Sequence, residues 1–402
     1  MNLQIQDVRD FIEQEDISFI RLAFCDVFGR QKNVSVMKTE LDRAFETGIA
    51  IDASAVKGFG SEEKSDLFLF PDPSTLAVLP WRPSEGGVVR MYCDIRYPDG
   101  TPFEMDCRRI LKNAVGYSKS RHLNISFGAE YEFYLFKTDD DGYPTKQVHD
   151  KAGYMDIAPD DRGANIRRSV CLTLSEMGII PESSHHEEGP GQHEIDFKYG
   201  EPLSSADNSI TFKSAVSTIA QQYGLFADFS PKPLENESGN GLHINISVKS
   251  DDGNDYLEKF MAGIMNRIKE MTAFLNPVSA SYGRLGVKKA PRYITWSKEN
   301  RSQLVRIPAG KGEYRRMELR SPDPMTNPYI AYALLIYAGI EGIEKDIPVP
   351  ASTDINLYSA DEETLSKIEK LPESLEEANK EARNSNFIKS VLPQRVIDTY
   401  TL

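Results

Sequence analysis

Alternating polar and apolar positions mark several short segments of the chain as β-strands. In "GAEYEFYLF", Glu130 and Glu132 alternate with Tyr131 and Phe133. The same two-residue period recurs in "PGQHEIDF", "GLHINISV" and "RRMELRS". Because successive side chains of a strand point to opposite faces, this pattern predicts four strands with a polar face and a partly apolar face.

Other segments follow the period of an α-helix. The segment "DYLEKFMAGIMNRIKEMTAFLNP" predicts a helix with one buried apolar face, formed by Leu257, Phe260, Met261, Ile264, Met265, Ile268, Met271 and Leu275. Helices are also predicted in "DRGANIRRSVCLTLSEMG" and "SITFKSAVSTIAQQYG", each of which ends at a glycine. The charged segment "DEETLSKIEKLPESLEEANKEARNS" predicts a solvated helical surface.

The order of these elements predicts two domains. Strand-like runs such as "ISFIRLAFCDVFG" and "GGVVRMYCDIRY" dominate residues 1–97. A turn and a helix follow in "PDGTPFEMDCRRILKNAVGYSKS", after which strands and helices mix. We therefore place a domain boundary near Pro98, with residues 98–402 as the second domain.

Composition excludes several classes of function. The 402 residues include 61 acidic and 47 basic residues, a net charge of −14, which argues against a partner with a nucleic-acid backbone. The longest apolar run, "YIAYALLIYAGI", is shorter than the roughly 20 residues that span a bilayer. No signal peptide is evident, so we expect a cytoplasmic protein without a membrane partner. The four scattered cysteines suggest neither a zinc site nor disulfides.

The polar faces of the four predicted strands carry the candidate chemistry. They align Glu130 with Glu132, Glu194 with Asp196, His243 with Asn245 and Ser247, and Arg316 with Glu318 and Arg320. A solvated sheet face would explain any one such strand, but four of them could line a polar funnel. Facing carboxylates need cations between them, and carboxylates with one imidazole suit Mg²⁺ or Mn²⁺. Nearby arginines suit phosphoryl transfer, although neither a P-loop nor a Rossmann fingerprint is present.

Several longer motifs resemble the glutamine synthetase family of prokaryotic type. They are "IRLAFCDVFGRQKNV", "PDGTPFEMD", "SHHEEGPGQHEIDFKYG", "ITWSKENRSQLVRIP" and "RMELRSPDPMTNPY", in the family's order along most of the chain. The resemblance implies an α+β fold, with an N-terminal β-grasp domain and a larger catalytic domain that has a funnel-shaped active site in an antiparallel sheet. It also implies a homo-oligomeric ring, a hexamer or a stacked dodecamer, whose active sites lie between subunits.

The resemblance also implies roles for individual residues. It assigns Glu132, Glu187 and Glu194 to a first divalent metal, and Glu130, His243 and Glu318 to a second. Arg301, Arg306 and Arg316 correspond to arginines around ATP, and we add Asn245 and Ser247 to the ATP site. Arg284 and Arg320 correspond to the residues that bind the glutamate carboxylates, with Gly239 on the substrate loop. Asp52 and Tyr154 correspond to the ammonium pocket, and Asp52, Arg284 and Arg301 are the expected catalytic residues.

The expected activity is that of an ATP-dependent carboxylate–amine ligase with a role in nitrogen metabolism. ATP would phosphorylate the γ-carboxylate of glutamate or a close analogue, and an amine would displace the phosphate. The expected cofactors are Mg²⁺ or Mn²⁺, two or more per site, with ATP as co-substrate.

The sequence departs from the family in the segments that would bind the attacking amine. The family's flap is close to R-L-V-P-G-Y-E-A-P, whereas this chain has "RLGVKKAP", with Lys289 before Ala-Pro. Ala55 stands where the family has serine, and "ESGNGLH" replaces an N-G-S-G-M-H pattern. The chain also ends at "SVLPQRVIDTYTL", before the strap that joins two rings, which makes a single ring the simpler expectation.

These departures leave three hypotheses. The first is a ligase that passes glutamate to an amine other than ammonia, because a lysine repels NH₄⁺ and cannot replace a carboxylate. The second is a true glutamine synthetase, and the third is a silent ring-forming homologue. Lys289 could instead be a bystander that pairs with Asp52 or with a surface acid.

Overall fold

A six-stranded sheet forms the N-terminal part of the chain. The computed structural model describes residues 3–60, 62–81 and 86–401. The first elements are α1 (Ile5–Gln14), β1 (Ile17–Cys25), β2 (Gln31–Met37), α2 (Leu41–Glu46), β3 (Ile49–Asp52), β4 (Asp66–Pro71), β5 (Ala77–Val78) and β6 (Gly87–Arg96). The strand order is β2-β1-β6-β4-β3, and β5 also pairs with β6. The pair β1–β6 is parallel, while the other pairs are antiparallel. Both runs that the sequence predicted as strands, in β1 and β6, are confirmed.

A nine-stranded sheet dominates the rest of the chain. Its elements are α3 (Cys107–Lys119), β7 (Leu123–Thr138), β8 (Pro144–Val148), α4 (Ala164–Glu176), β9 (Pro181–His186), β10 (Gln192–Gly200), α5 (Pro202–Gln222), β11 (Leu225–Asp228), β12 (Leu242–Ser250), α6 (Leu257–Leu275), α7 (Ser279–Arg284), β13 (Trp296–Lys298), β14 (Val305–Ile307), β15 (Met317–Leu319), α8 (Pro328–Glu344), α9 (Glu362–Ser366), α10 (Leu375–Asn384), α11 (Asn386–Val391) and α12 (Gln394–Tyr400). The order is β13-β14-β15-β12-β7-β10-β9, with β8 and β11 also paired to β7. Only the short β13–β14 pair in this described sheet is parallel.

The long strand β7 has the two faces that its sequence predicts. Tyr131 and Phe133 are fully buried, and the Tyr131 ring lies 5.1 Å from the ring of Phe212 on α5. Glu130 and Glu132 point to the opposite face, since neighbouring residues of a strand alternate. The apolar face therefore fixes the orientation of the polar face.

Helices α6 and α8 pack closely against each other. All eight apolar residues of the predicted α6 stripe are buried. The helices approach at glycines: a Cβ added to Gly263 would lie 2.1 Å from the carbonyl oxygen of Ala338 and 2.7 Å from the Cα of Gly342. Helix α8 contains the longest apolar run and is buried on nearly all sides. In the described part of the chain, no helix is long and apolar enough to cross a membrane.

The acidic segment near the C-terminus is less solvated than its charge predicts. It divides into α9 and α10, and α10 contacts α6. Ala378, Asn379 and Ala382 on α10 are buried. The prediction of a solvated surface was wrong for this face, because small residues spaced along a helix allow close packing even among charges.

A buried arginine joins the two sheets. Arg108, in the first turn of α3, is held by Asp72 of the N-terminal part (Nη2–Oδ2, 2.9 Å) and by Asp207 of α5 (Nη2–Oδ2, 3.0 Å). The N-cap Asp106 accepts a hydrogen bond from the Arg108 backbone N–H and so fixes the start of this helix. The N-terminal sheet is thus attached to the helices that cover the larger sheet.

Candidate active site

Strand register brings the predicted metal-binding side chains together. Glu132 of β7 faces Glu194 of β10, while Glu130 lies between Asp196 of β10 and His243 of β12. Glu318 of β15 faces Asn245 of β12 and Arg306 of β14. Each carboxylate is therefore positioned by a ladder of backbone hydrogen bonds rather than by a loop.

The group predicted for the second metal is compact. Ligand atoms of Glu130, His243 and Glu318 lie within 4.8 Å of one another. His243 Nδ1 lies 3.2 Å from Glu130 Oε2 and 3.6 Å from Glu318 Oε1. Glu318 is fully buried and accepts hydrogen bonds from Arg306 Nε (2.5 Å) and Arg320 Nε (3.2 Å).

The residues predicted for the first metal form two overlapping groups. Glu132 and Glu194 cluster with His243, while Glu187 and Glu194 cluster with His185. His185 Nδ1 lies 3.6 Å from Glu187 Oε1, and its Nε2 lies 3.5 Å from Glu194 Oε1. His185 therefore connects two carboxylates that the sequence prediction grouped without it.

Crowding of these acids changes their pKa values. Burial and the neighbouring Glu132 raise the pKa of Glu187 to about 7. Burial, Asp196 and Glu132 raise the pKa of Glu194 well above its usual value. The pKa of Glu130 is lowered, to about 2. Burial opposes this shift, but the hydrogen bond and the charge of His243 outweigh the effect of burial. The site thus contains acids that resist ionisation until a cation lies beside them.

The donor set fits hard divalent cations. Five glutamates supply oxygen ligands, and His243 and His185 supply nitrogen. Mg²⁺ and Mn²⁺ prefer such oxygen-rich sites, whereas structural zinc sites prefer sulfur and nitrogen. These residues are therefore suited to hold the predicted metals.

Two cavities meet at Glu130. The lining of the first includes five of the predicted metal ligands together with Tyr154, Gly239, Arg284, Arg301 and Arg320. The second is lined on one side by Asn245, Ser247 and Arg316. The residues predicted for substrate lie in the first cavity, and three of those predicted for ATP lie in the second.

Hydrogen bonds fix the arginines of the first cavity. Arg284 is buried and donates to the carbonyl oxygen of Ser321 (2.8 Å), while Arg320 donates to the carbonyl oxygen of Arg301 and to Glu318. In the second cavity, Arg316 Nε donates to Asn245 Oδ1 (2.9 Å). These contacts restrict the guanidinium groups, as a binding site for anions requires.

Comparison with known proteins identifies the family. The model "Glutamine synthetase, beta-Grasp domain" matches residues 16–98, and "Glutamine synthetase, catalytic domain" matches residues 104–402. The chain belongs to the glutamine synthetase family. It has the family's N-terminal β-grasp domain and catalytic domain, and it is an ATP-dependent C–N ligase.

Individual relatives cover almost the whole chain. A glutamine synthetase of Clostridium saccharobutylicum is 41% identical, over 98% of this chain and 93% of the relative. One of Methanosarcina mazei is 42% identical, over 98% and 92%. A solved structure described as "GmaS/ADP complex-Conformation 1" has a TM-score of 0.88 at 26% identity and covers 100% of this chain and 94% of that one. The fold predicted from the resemblance is confirmed.

The flap, residues 284–291, forms ion pairs with two neighbouring loops. Lys289 Nζ lies 2.6 Å from Glu188 Oε1, and Lys288 Nζ lies 3.3 Å from Glu237 Oε2. Lys289 pairs with Glu188, an acid at the mouth of the first cavity, and not with Asp52. This is the alternative in which Lys289 pairs with a surface acid, although that acid also lines the cavity.

Asp52 and Tyr154, the two residues predicted for the ammonium pocket, do not line the same cavity of one chain. Tyr154 lines the first cavity, but the described residues that line the two cavities do not include Asp52. Asp52 ends β3 in the N-terminal sheet and accepts hydrogen bonds from Ser54. Ala55 follows in the next turn and lines a different depression, beside Pro277.

The polar residues of the site that were not predicted from the sequence include His185, Gln192 and Glu188. Gln192 is buried, and its amide donates to Glu132 Oε2 (3.2 Å). The two-residue period could have identified Gln192, which precedes Glu194 by two, and His185, which precedes Glu187 by two. Glu188 carried no such signal, because its place depends on how the flap folds.

Proposed function

We propose that this ligase joins the γ-carboxylate of glutamate, or of a close analogue, to an amine other than ammonia and forms a γ-glutamyl amide. The observation that carries the proposal is Lys289, a cation at the cavity mouth where the family's flap has a carboxylate. A positive charge at this place disfavours a small cation such as NH₄⁺ beside it. The machinery for ATP and metals is complete, so the change concerns the nucleophile.

Arginines provide the recognition of the acid. Arg284 and Arg320 would bind the carboxylates of glutamate through charge-assisted hydrogen bonds, with Gly239 at the loop beside them. Arg301, at the same cavity, would stabilise the transferring phosphoryl group. Asn245, Ser247, Arg306 and Arg316 would bind ATP along the neighbouring strands.

Two carboxylate clusters would hold the metals. Glu132, Glu187 and Glu194 form the first set, and Glu130, His243 and Glu318 form the second. When bound, divalent cations neutralise negative charge on the phosphates of ATP. Arg306 and Arg320, which donate to Glu318, fix the orientation of that carboxylate.

The reaction then proceeds in two steps. The γ-carboxylate attacks the γ-phosphorus of ATP, and ADP leaves. The neutral amine next attacks the acyl carbon, so that a C–N bond forms and the C–O bond to phosphate breaks. The proton lost from the amine nitrogen leaves with the phosphate. Holding the reactants in line provides up to about 7–11 kcal/mol of the advantage.

In a ring of subunits, each active site would be completed by a residue of the neighbouring subunit. Tyr154 lines the first cavity, whereas Asp52 is not among the described residues that line either of the two cavities. We place Asp52 at the cavity of the next subunit, where residues 1–97 act as the completing domain and residues 98–402 as the catalytic domain. A closed ring of identical subunits allows every site to form in this way.

A product assay tests the proposal. ATP turnover is measured with glutamate and either ammonium or a panel of primary amines, and the products are identified by mass. We expect γ-glutamyl amides and weak use of ammonia. Strong ammonia-dependent turnover to glutamine would instead support the second candidate, a glutamine synthetase, which the names of the two relatives at 41% and 42% identity favour.

Substitution of Lys289 gives a second test of the proposed function. Lys289→Glu should increase kcat/KM for ammonium, by about tenfold for each 1.4 kcal/mol of restored transition-state stabilisation. Lys288→Glu, one residue away in the same flap, is the control and should have a much smaller effect. Equal responses of the two variants would show that position 289 does not select the nucleophile.

A further inference from the structure

The side chain of Lys289 occupies a small site of its own. Its ammonium nitrogen lies 2.6 Å from Glu188 Oε1 and 5.0 Å from the centre of the Tyr154 ring. A carboxylate and an aromatic face together are a common arrangement for binding an alkylammonium ion. The side chain of lysine is itself a primary alkylammonium, so the structure contains an example of the ion that this site accepts.

The Lys289 side chain can leave while its backbone stays in place. The Tyr358 hydroxyl donates to the carbonyl oxygens of Lys289 (2.5 Å) and Arg301 (3.1 Å), which ties the flap backbone to the cavity wall. The Lys289 side chain is 51% exposed, and that of Glu188 is 33% exposed. An ion pair so exposed contributes little to stability, so a competing cation can replace it.

The surroundings of the pair favour an alkylamine over ammonia. Tyr154 is 46% exposed and Val287 is 40% exposed, and both line the same cavity. An alkyl chain on the amine would cover these apolar surfaces, whereas NH₄⁺ would not. An amine with such a chain therefore offsets the loss of the Lys289 contact better than NH₄⁺ does.

The site also lies beside the reaction centre. The backbone N–H of Glu188 donates to Glu187 Oε2 (3.0 Å), and Glu187 belongs to the first predicted metal set. An amine bound to Glu188 is therefore held next to the cluster where the acyl phosphate forms.

We propose that Glu188 and Tyr154 form the binding subsite for a primary alkylammonium substrate, and that Lys289 occupies this subsite while the amine is absent. The inference rests on the proposed function, because it names the class of amine used at the same cavity. The subsite binds and orients the alkylammonium ion at the solvent-exposed mouth of the cavity. The ion releases one proton to solvent, and the neutral amine then attacks the acyl carbon as described above.

Three variants test the subsite through KM for a series of straight-chain primary amines, from methylamine to butylamine. Lys289→Met removes the internal competitor, and KM should fall about two- to fivefold. Glu188→Gln removes the negative charge, and KM should rise about tenfold or more. Tyr154→Leu should raise KM by about two- to thirtyfold. Because an internal competitor raises the apparent KM of every amine by the same factor, the fall on Lys289→Met should be similar along the series.

Lys288→Met is the matched control, because it removes the neighbouring lysine and its contact with Glu237. Because Lys288 lines the same cavity but pairs with Glu237 and not with Glu188, we expect a much smaller change in KM for butylamine. Calorimetric titration of butylamine hydrochloride into the protein with ADP and glutamate gives the same comparison without turnover. Thermal unfolding of each variant verifies that it is folded.

The outcomes separate this inference from the proposed function. If the wild-type enzyme forms amides but Lys289→Met weakens butylamine binding or leaves it unchanged, the subsite is wrong and the ligase activity stands. If the enzyme forms only glutamine, the proposed function fails, and the absence of butylamine binding in the calorimetric titration would then overturn the subsite as well.

Discussion

Lys213 shows how one partly buried cation couples the fold to pH. It lies on α5 and donates to the carbonyl oxygen of Pro324 (3.2 Å). Burial lowers the pKa of its ammonium group to about 8, although Cys25, Asp323 and Asp26 oppose the shift. The protonated form is therefore tolerated less well in the folded chain than in water.

The direction in which stability changes with pH depends on which state, folded or unfolded, binds more protons. In the unfolded chain the lysine has a pKa of about 10.4, so between about pH 8 and pH 10 the unfolded state binds the extra proton and stability increases with pH. The free energy of unfolding of the wild type relative to Lys213→Met should rise across this range by up to about 1.4 kcal/mol per pH unit. Urea unfolding at pH 7, 8, 9 and 10 measures it, and parallel curves for the two proteins would contradict the assignment.

Single residues also show where sequence inference succeeds. Glu130, Glu132 and Glu194 were predicted to share a face, and the strands place them so, because the period of a strand is a local property. Glu188 could not be predicted, since its contact with Lys289 joins segments about a hundred residues apart. The assigned roles of these residues remain proposals, while their proximity is a finding.

Among the elements, the pair α6 and α8 depends on the absence of side chains at its crossing. Gly263→Ala would place a Cβ 2.1 Å from the carbonyl oxygen of Ala338, and both helices would have to separate. We expect a loss of about 1–3 kcal/mol, typical of an overpacked core. Urea-unfolding midpoints measure the loss.

Gly116→Ala is the control for this helix prediction. Gly116 lies in α3, is exposed, and has open space where a Cβ would be. Alanine there should stabilise the protein by about 0.5–1 kcal/mol, because glycine is a poor helix former. A similar response of both variants would mean that the α6–α8 crossing relaxes without cost.

Long periodic elements were predictable, and short ones were not. The α6 stripe repeats over five turns, so its buried face could be assigned from sequence alone. Strands β13 and β14 have three residues each, too few for a period, and their parallel pairing was not foreseen. The buried face of α10 was missed for another reason: its small residues are surrounded by charges that suggested solvent.

At the scale of the whole molecule, the position of Asp52 leads to a test of assembly. Asp52→Asn and Glu318→Gln should each inactivate the enzyme if both residues act in catalysis. In rings formed from equal amounts of the two variants, about one quarter of the sites would combine an intact Asp52 with an intact Glu318 from a neighbour. We therefore expect activity to return to about one quarter of the wild-type value.

To measure this recovery, the two variants are dissociated, mixed and reassembled, and ATP turnover is then assayed. Native mass spectrometry verifies that mixed rings have formed. Each variant reassembled alone serves as the control. Mixed rings without recovered activity would show that Asp52 does not complete a neighbouring site.

The arrangement of the flap has a consequence for protein engineering. The eight residues from Arg284 to Pro291 include no strand of the sheet and contact the cavity through side chains and a few backbone hydrogen bonds. Asn245, Ser247 and Arg306, which we propose for ATP binding, lie on strands whose register is set elsewhere. A designer could therefore exchange this short segment, together with Glu188, to obtain ligases for other amines while the strands stay unaltered.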